Sequence, residues 1–264
     1  MFVPTVIEEF LTIQTILDRK ASIGRYGDGE FRSARGSNLK FQDAHPVLST
    51  KLQDVLRTSD DRFLVGIPRV WGRRDLYFYD PIKHDNWLKT MQKEDFLGML
   101  VPEKTYYSSF ITRPDAAVHI ECDDYYRLVQ SIWRGRRVVY FAGRNGKPLK
   151  AMEGRGFLQE AEELKIEWCL EENAFSEYEQ LIERARKYDP KKWLVLLSLG
   201  PTATVLAWDL FQLGYQALDI GHMPMFYNRQ HPKLPKFFRA ILDKYVALGM
   251  VKIEDRGGSD GHDK

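Results

Sequence analysis

Cysteine is nearly absent from this chain. Only Cys122 and Cys169 occur, without the paired spacing of a zinc site and too few for a disulfide framework. That usage fits a reduced, cytoplasmic setting. An excess of either charge is missing as well: 39 Lys and Arg face 37 Asp and Glu, for a formal net charge of +2. Without a broad basic surplus, a dedicated nucleic-acid binder is disfavoured. No apolar run approaches the ~20 residues of a membrane span. The opening Met1-Phe2-Val3-Pro4 leads quickly to Glu8 and Glu9, not from a basic stretch into an apolar one. Neither a Gly-x-Gly-x-x-Gly nor a Gly-Lys-Ser/Thr loop is present, which argues against a standard dinucleotide fold and a P-loop ATPase. Repeats and Pro- or Ser-rich linkers are lacking too. The 264 residues therefore read as one domain, 1–256, with a small polar tail, 257–264, expected to be disordered.

Aromatic residues are plentiful, with 6 Trp, 13 Tyr and 15 Phe, enough for a thick core or for surfaces that stack a base or sugar. Apolar periodicity predicts helices over 5–20, from Pro46 to Leu56, and over 85–98, 154–164 and 236–248. Another is expected to end near Trp133, and Ser176 with Glu179 reads as a capping box for one running through Tyr188. Strands are expected at 62–67, 105–110, 137–142, 165–170, 193–199, 216–220 and 251–254. Trp193–Leu199 is continuous and apolar, as a central parallel strand should be. Residues 69–84 have no clean period and read as a long irregular loop. Strands alternating with helices imply an α/β fold, a mostly parallel sheet with helices on both faces.

In such sheets ligands sit beyond the carboxyl ends of the strands, and several loops there carry chemistry. In Arg25-Tyr26-Gly27-Asp28-Gly29-Glu30-Phe31 two carboxylates flank a glycine at the end of a short strand. This is either a divalent-cation site or a turn rich in Gly and Asp. Gly200-Pro201-Thr202-Ala203-Thr204 reads as a helix start able to receive a phosphate through free N–H groups and Thr hydroxyls, or as a helix start alone. His222, after Gly221 and near Asp219, is a candidate general base or phosphate-binding group, or a structural histidine. Arg25, Arg113, Arg144 and Lys147 are candidate phosphate partners, with plain surface solvation as the alternative.

Taken in order, Arg25–Phe31, Ile67-Pro68-Arg69-Val70-Trp71, Tyr107–Pro114, Asn173-Ala174-Phe175 and Leu199–Leu210 through Gly214–His222 resemble bacterial glycosyltransferases of the GT-D fold, formerly a domain of unknown function. The resemblance covers roughly residues 5–230. It implies a single Rossmann-like domain, a nucleotide-sugar donor such as UDP-glucose, a glycan or glycoconjugate acceptor, and manganese or magnesium held by an Asp-x-Glu motif that falls on Asp28 and Glu30. It also implies donor binding around Arg25, Gly27, Arg113, Lys147, Asn173, Gly200, Thr202 and Thr204, and work in the cytoplasm or on its membrane face. The chain departs from the family in two places. Acids usual after Gly-His are replaced by Met223-Pro224-Met225-Phe226, and the loop after Ala142 lacks its usual glutamate, leaving Arg144 or Lys147 as its basic group. Catalysis therefore falls to His222 or Asp219. A binding protein without catalysis and a metal-dependent phosphohydrolase are the competing readings.

Overall fold

Side chains alternate across the strands, and that alternation builds two cores. A computed structural model describes residues 2–71, 81–113, 123–144 and 157–224. Eight strands, β1 Thr5–Ile7, β2 Ser22–Arg25, β3 Phe63–Ile67, β4 Thr105–Ser108, β5 Arg137–Gly143, β6 Glu163–Cys169, β7 Trp193–Ser198 and β8 Gln216–Asp219, form one sheet in the order β1-β4-β3-β2-β8-β7-β5-β6. Every pairing between them is parallel. Val139 and Phe141 of β5 and Val195 and Leu197 of β7 enter one core. Their neighbours Val138, Tyr140, Leu194 and Leu196 enter the other. Both faces are buried, so the strands read as continuous apolar runs.

Helices cover each face. On the first lie α2 Asp28–Ala34, α3 Pro46–Arg57, α4 Pro81–Lys93, α6 Tyr178–Ala185 and α7 Pro201–Gln212, through residues such as Phe31, Leu52, Met91, Leu181 and Leu206. On the second, α1 Glu9–Arg19 and α5 Asp123–Gln130 contribute Ile13, Ile16 and Leu128. Pro46 and Pro201 stand in the first turns of α3 and α7, where a missing N–H costs nothing. Among the described residues no helix is long and apolar enough to cross a membrane.

Several expected boundaries move, each because of a distant partner. The helix expected over 5–20 splits, since Thr5–Ile7 pairs with Thr105–Tyr107 as an edge strand. Val6 satisfies a strand period as well as a helical one. The described part of 154–164 is turn at 157–160, and β6 begins at Glu163, in register with β5 from Arg137↔Glu163 to Gly143↔Cys169. Ser176 does not cap a helix: its hydroxyl donates to the Asn173 carbonyl at 2.8 Å, a 3-10 turn covers Ala174–Glu177, and α6 starts at Tyr178. The 85–98 helix lies at Pro81–Lys93, with a separate 3-10 turn at Phe96–Met99 after Asp95 in the left-handed region. The strand expected at 105–110 ends at Ser108, where Ser109–Thr112 turn away. The helix at 236–248, the strand at 251–254 and the tail lie outside the described residues.

Leu196 is fully buried, whereas Leu213 is exposed. Truncating Leu196 to Ala is expected to cost about 3 kcal/mol through lost transfer energy and a residual cavity, and Leu213→Ala less than about 0.5 kcal/mol. Urea unfolding should show the first as a lower midpoint at unchanged slope.

Candidate functional site

Strands β2 and β8 lie side by side, yet the chain leaves them toward opposite faces. After β2, Phe31 packs into the first core; after β8, Ile220 and Met223 pack into the second. Divergence of this kind opens a crevice at the carboxyl ends of a parallel sheet. Arg25 closes its floor. Its Nη2 meets Asp219 Oδ1 at 2.9 Å, its Nε donates to the Asp219 carbonyl at 2.7 Å, and its Nη1 donates to the Ser109 carbonyl at 3.3 Å. The side chains are 12% and 4% exposed. Thr204, fully buried, donates to the Arg25 carbonyl at 2.8 Å with Asp219 Oδ2 at 3.3 Å.

Two expectations change here. Arg25 does not stand free for a phosphate, because three acceptors hold its guanidinium. Asp219 is not an open base, because Arg25, Thr204 and the Gly221 N–H, which donates to its Oδ1 at 3.0 Å, surround its carboxylate. The two residues form a structural clasp instead. Gly221 is needed against it: its φ is +48°, and an added Cβ would lie 2.2 Å from Arg25 Nη2. His222 follows, exposed at the rim.

Asp28 and Glu30 do not lie in an open loop; they are the first and third residues of α2. Acids there complement the helix dipole. Glu30 turns back so that Oε2 accepts the Gly27 N–H at 2.7 Å, while Asp28 reaches out toward Arg32 at 3.9 Å. Glu30 is recessed but keeps part of its surface open. Burial raises its carboxyl from the ordinary 4.5 to about 7; nearby Asp219 adds to the shift, and the Gly27 N–H and Arg25 oppose it. Among the described residues no group of three or more His, Cys, Asp or Glu is set to hold a metal ion. The pair Asp28 and Glu30 is thus an incomplete ligand set. Carboxylate oxygens are the donor type a hard divalent ion takes, though Glu30 Oε2 is already held by the Gly27 N–H; a cation there would relieve the repulsion between Glu30 and Asp219.

At the head of α7, Gly200 adopts φ +55° and an added Cβ would meet the Phe41 ring at 2.7 Å. The Thr202 and Thr204 hydroxyls point inward rather than toward an anion. Thr202 lies 3.3 Å from Gln42 Oε1, which also accepts the Phe175 N–H. Asn173 is likewise engaged: its Oδ1 accepts the Asp43 N–H at 2.6 Å and its Nδ2 donates to Asp43 Oδ2 at 3.0 Å, clamping residues 41–43 beside Gly200. Arg113 stacks over Trp87 at 5.4 Å and Arg144 over Trp168 at 5.9 Å. Lys147 lies outside the described residues. Gln42, Ser198 and Tyr140 are the polar residues that sequence patterns miss. Each sits in an ordinary loop or apolar strand, and each bonds a residue more than 20 positions away.

Removing the Asp219 carboxylate leaves Arg25 buried without its counter-ion, so Asp219→Leu should cost about 3 kcal/mol, and the double variant Arg25→Met with Asp219→Leu less than Arg25→Met and Asp219→Leu combined; denaturant melts of these three variants check this. Glu30 has a second signature. Its folded carboxyl holds a proton up to about pH 7, whereas the unfolded one releases it near 4.5. Its contribution therefore weakens stability as pH rises from about 4.5 to about 7 and is level above that. Unfolding in chelator-containing buffer at pH 5 and pH 8 should find this fall smaller in Glu30→Gln than in the parent.

Comparison with known proteins agrees with this architecture. Residues 23–247 match the family described as glycosyltransferase GT-D fold. The chain is 28% identical over 226 residues to glycosyltransferase GlyD of Streptococcus pneumoniae serotype 4 (strain ATCC BAA-334 / TIGR4), covering 82% of this chain and 26% of that protein. It is also 28% identical to a probable glycosyl transferase Gly of Streptococcus gordonii, covering 82% of this chain and 32% of the relative. The chain thus spans about a quarter to a third of the length of these relatives. A solved structure described as the highly conserved domain of unknown function 1792 with a distinct glycosyltransferase fold superposes with a TM-score of 0.75 at 26% identity, over 97% of this chain and 87% of that one. Another, described as a new glycosyltransferase from Streptococcus sanguinis, gives 0.72 at 25% identity, over 98% and 91%. The match spans the clasp, the Asp28/Glu30 turn and the Gly200–His222 block alike, and the chain belongs to the family of glycosyltransferases with the GT-D fold.

Proposed function

We propose that this protein transfers a sugar from a nucleotide-sugar donor, UDP-glucose or a close relative, to a glycan or glycoconjugate acceptor. The observation that carries this reading is the match of residues 23–247 to the GT-D family, with Asp28, Glu30 and His222 all following the carboxyl ends of the adjacent strands β2 and β8, where parallel sheets take their ligands. Asp28 and Glu30 would hold manganese or magnesium together with oxygens of the donor diphosphate. When bound, such an ion neutralises charge on the leaving diphosphate. The positive end of α7, which begins at Gly200 and Pro201, would add its dipole to the same charge. His222, exposed beside the crevice, would take the proton of the acceptor hydroxyl, or hold that hydroxyl by a hydrogen bond. Work in the cytoplasm is part of this proposal.

One observation favours a second reading, a nucleotide-sugar or glycan binder without catalysis. Where relatives are expected to place acids after Gly-His, this chain has Met223 and Pro224, both buried. They point into the protein and supply no second base. Measured turnover of a donor, by transfer or by hydrolysis, rejects this alternative.

UDP with manganese should raise the thermal midpoint by several degrees, as expected for a ligand that binds only the folded state. Asp28→Ala with Glu30→Ala should abolish the manganese-dependent part. If none of the common nucleoside diphosphates binds, with or without manganese, the proposal fails.

A further inference from the structure

The turn that carries His222 is held from two sides. On one, the Gly221 N–H donates to Asp219 Oδ1 at 3.0 Å. On the other, the Gly221 carbonyl accepts the Ser198 hydroxyl at 2.6 Å, and Ser198 Oγ accepts the Tyr140 hydroxyl at 2.8 Å. Tyr140 is fully buried on β5, two strands from β8 in the sheet, and Ser198 ends the intervening β7. The Gly221 carbonyl belongs to the planar peptide that leads into His222, so fixing that oxygen fixes the orientation of the His222 backbone. Gly221 itself, at φ +48°, has no side-chain contacts to do so.

The direction of the chain decides what it can do. Tyr140 donates to Ser198 and Ser198 donates to a carbonyl, which has no proton to pass on. The relay therefore orients and does not conduct protons. Buried hydroxyls in an apolar strand cost desolvation unless paired, and here the pairing spans β5, β7 and the turn after β8. A tyrosine at this position brings one partnered polar atom into an otherwise apolar layer of Val138, Leu194 and Leu196. Burial pushes its phenol well above the ordinary value, so it stays a donor across the whole working pH range.

We propose that Tyr140 and Ser198 are positioning residues that set the His222 imidazole at the crevice rim through the Gly221 peptide. This rests on the reading of His222 as the group facing the acceptor. The test pairs a spectroscopic readout with kinetics. The His222 ring resonance, identified by its loss in His222→Ala, is followed by NMR in the parent, in Tyr140→Phe and in Ser198→Ala. Both variants are expected to shift or broaden it while keeping the parent thermal midpoint to within a few degrees. Transfer by Tyr140→Phe should fall roughly tenfold in kcat with the donor KM unchanged, as for a misplacement of a reacting group. In a His222→Ala background the same change should add little. An unaltered His222 resonance in both variants overturns the proposal, and so does an equal kinetic loss with and without His222. If Ser198→Ala does not fold, Tyr140→Phe, which keeps the ring's shape, decides alone. Absence of any transfer by the parent would count against the transferase reading, while the resonance would still report on positioning.

Discussion

The structure depends on one buried ion pair, Arg25 with Asp219. Between β2 and β8 the backbone ladder is thin, with the single register pair Ile23↔Leu218, against seven between β5 and β6. Side chains stitch the seam instead. At its amino end Ser22 accepts the Ala217 N–H at 2.9 Å and Gln216 donates to the Ala21 carbonyl at 3.0 Å. At its carboxyl end the clasp of Arg25, Asp219 and Thr204 does the same work. A guanidinium suits this place because its fixed fork satisfies a carboxylate and two backbone carbonyls together. Its positive charge is needed there, since Asp219 would otherwise be buried alone.

The clasp also shapes the crevice above it. With Arg25 and Asp219 committed to each other, neither is open to a ligand, and the exposed groups at the rim are left to meet one. Glu30 feels the Asp219 charge and lies in a recess that disfavours ionisation, so the rim holds an acid whose charge a cation would stabilise. The Gly221 turn is tied to Asp219 by its N–H and to Ser198 by its carbonyl, so the clasp and the hydroxyl relay together hold the peptide that leads into His222. Farther along the same edge, Glu9 binds Arg69 at 2.7 Å and Ser108 at 2.8 Å. Ser109, next in the chain, accepts Arg25. Polar contacts thus run along most of the carboxyl edge of the sheet, above two apolar cores.

Much of the fold was legible because it depends on local pattern. The continuous apolar run at β7, the Pro-started helices α3 and α7, and β3 ending before Pro68 all follow from side-chain period and backbone restriction. What was not legible depended on partners far away. Thr5–Ile7 becomes a strand only because β4 lies beside it, and Ser176 turns to Asn173 rather than capping α6. Among site residues, the block from Gly200 to His222 stood out as a unit, and the structure brings Arg25, Thr204, Asp219 and Gly221 into mutual contact. Their roles did not follow: arginine, threonine and aspartate at strand ends look alike whether they face a ligand or one another. Gln42, Ser198 and Tyr140 carried no local signal at all.

The sequence by itself determined the class of fold, the order of most elements, the family and the block of residues at the crevice, because hydrophobic period and motif spacing are properties of neighbouring positions. Only the tertiary structure decided which of those residues are turned inward and which reach the rim. That choice is made by the β2/β8 seam, where too few backbone hydrogen bonds join the strands and the side chains of Arg25, Asp219 and Thr204 must complete the join.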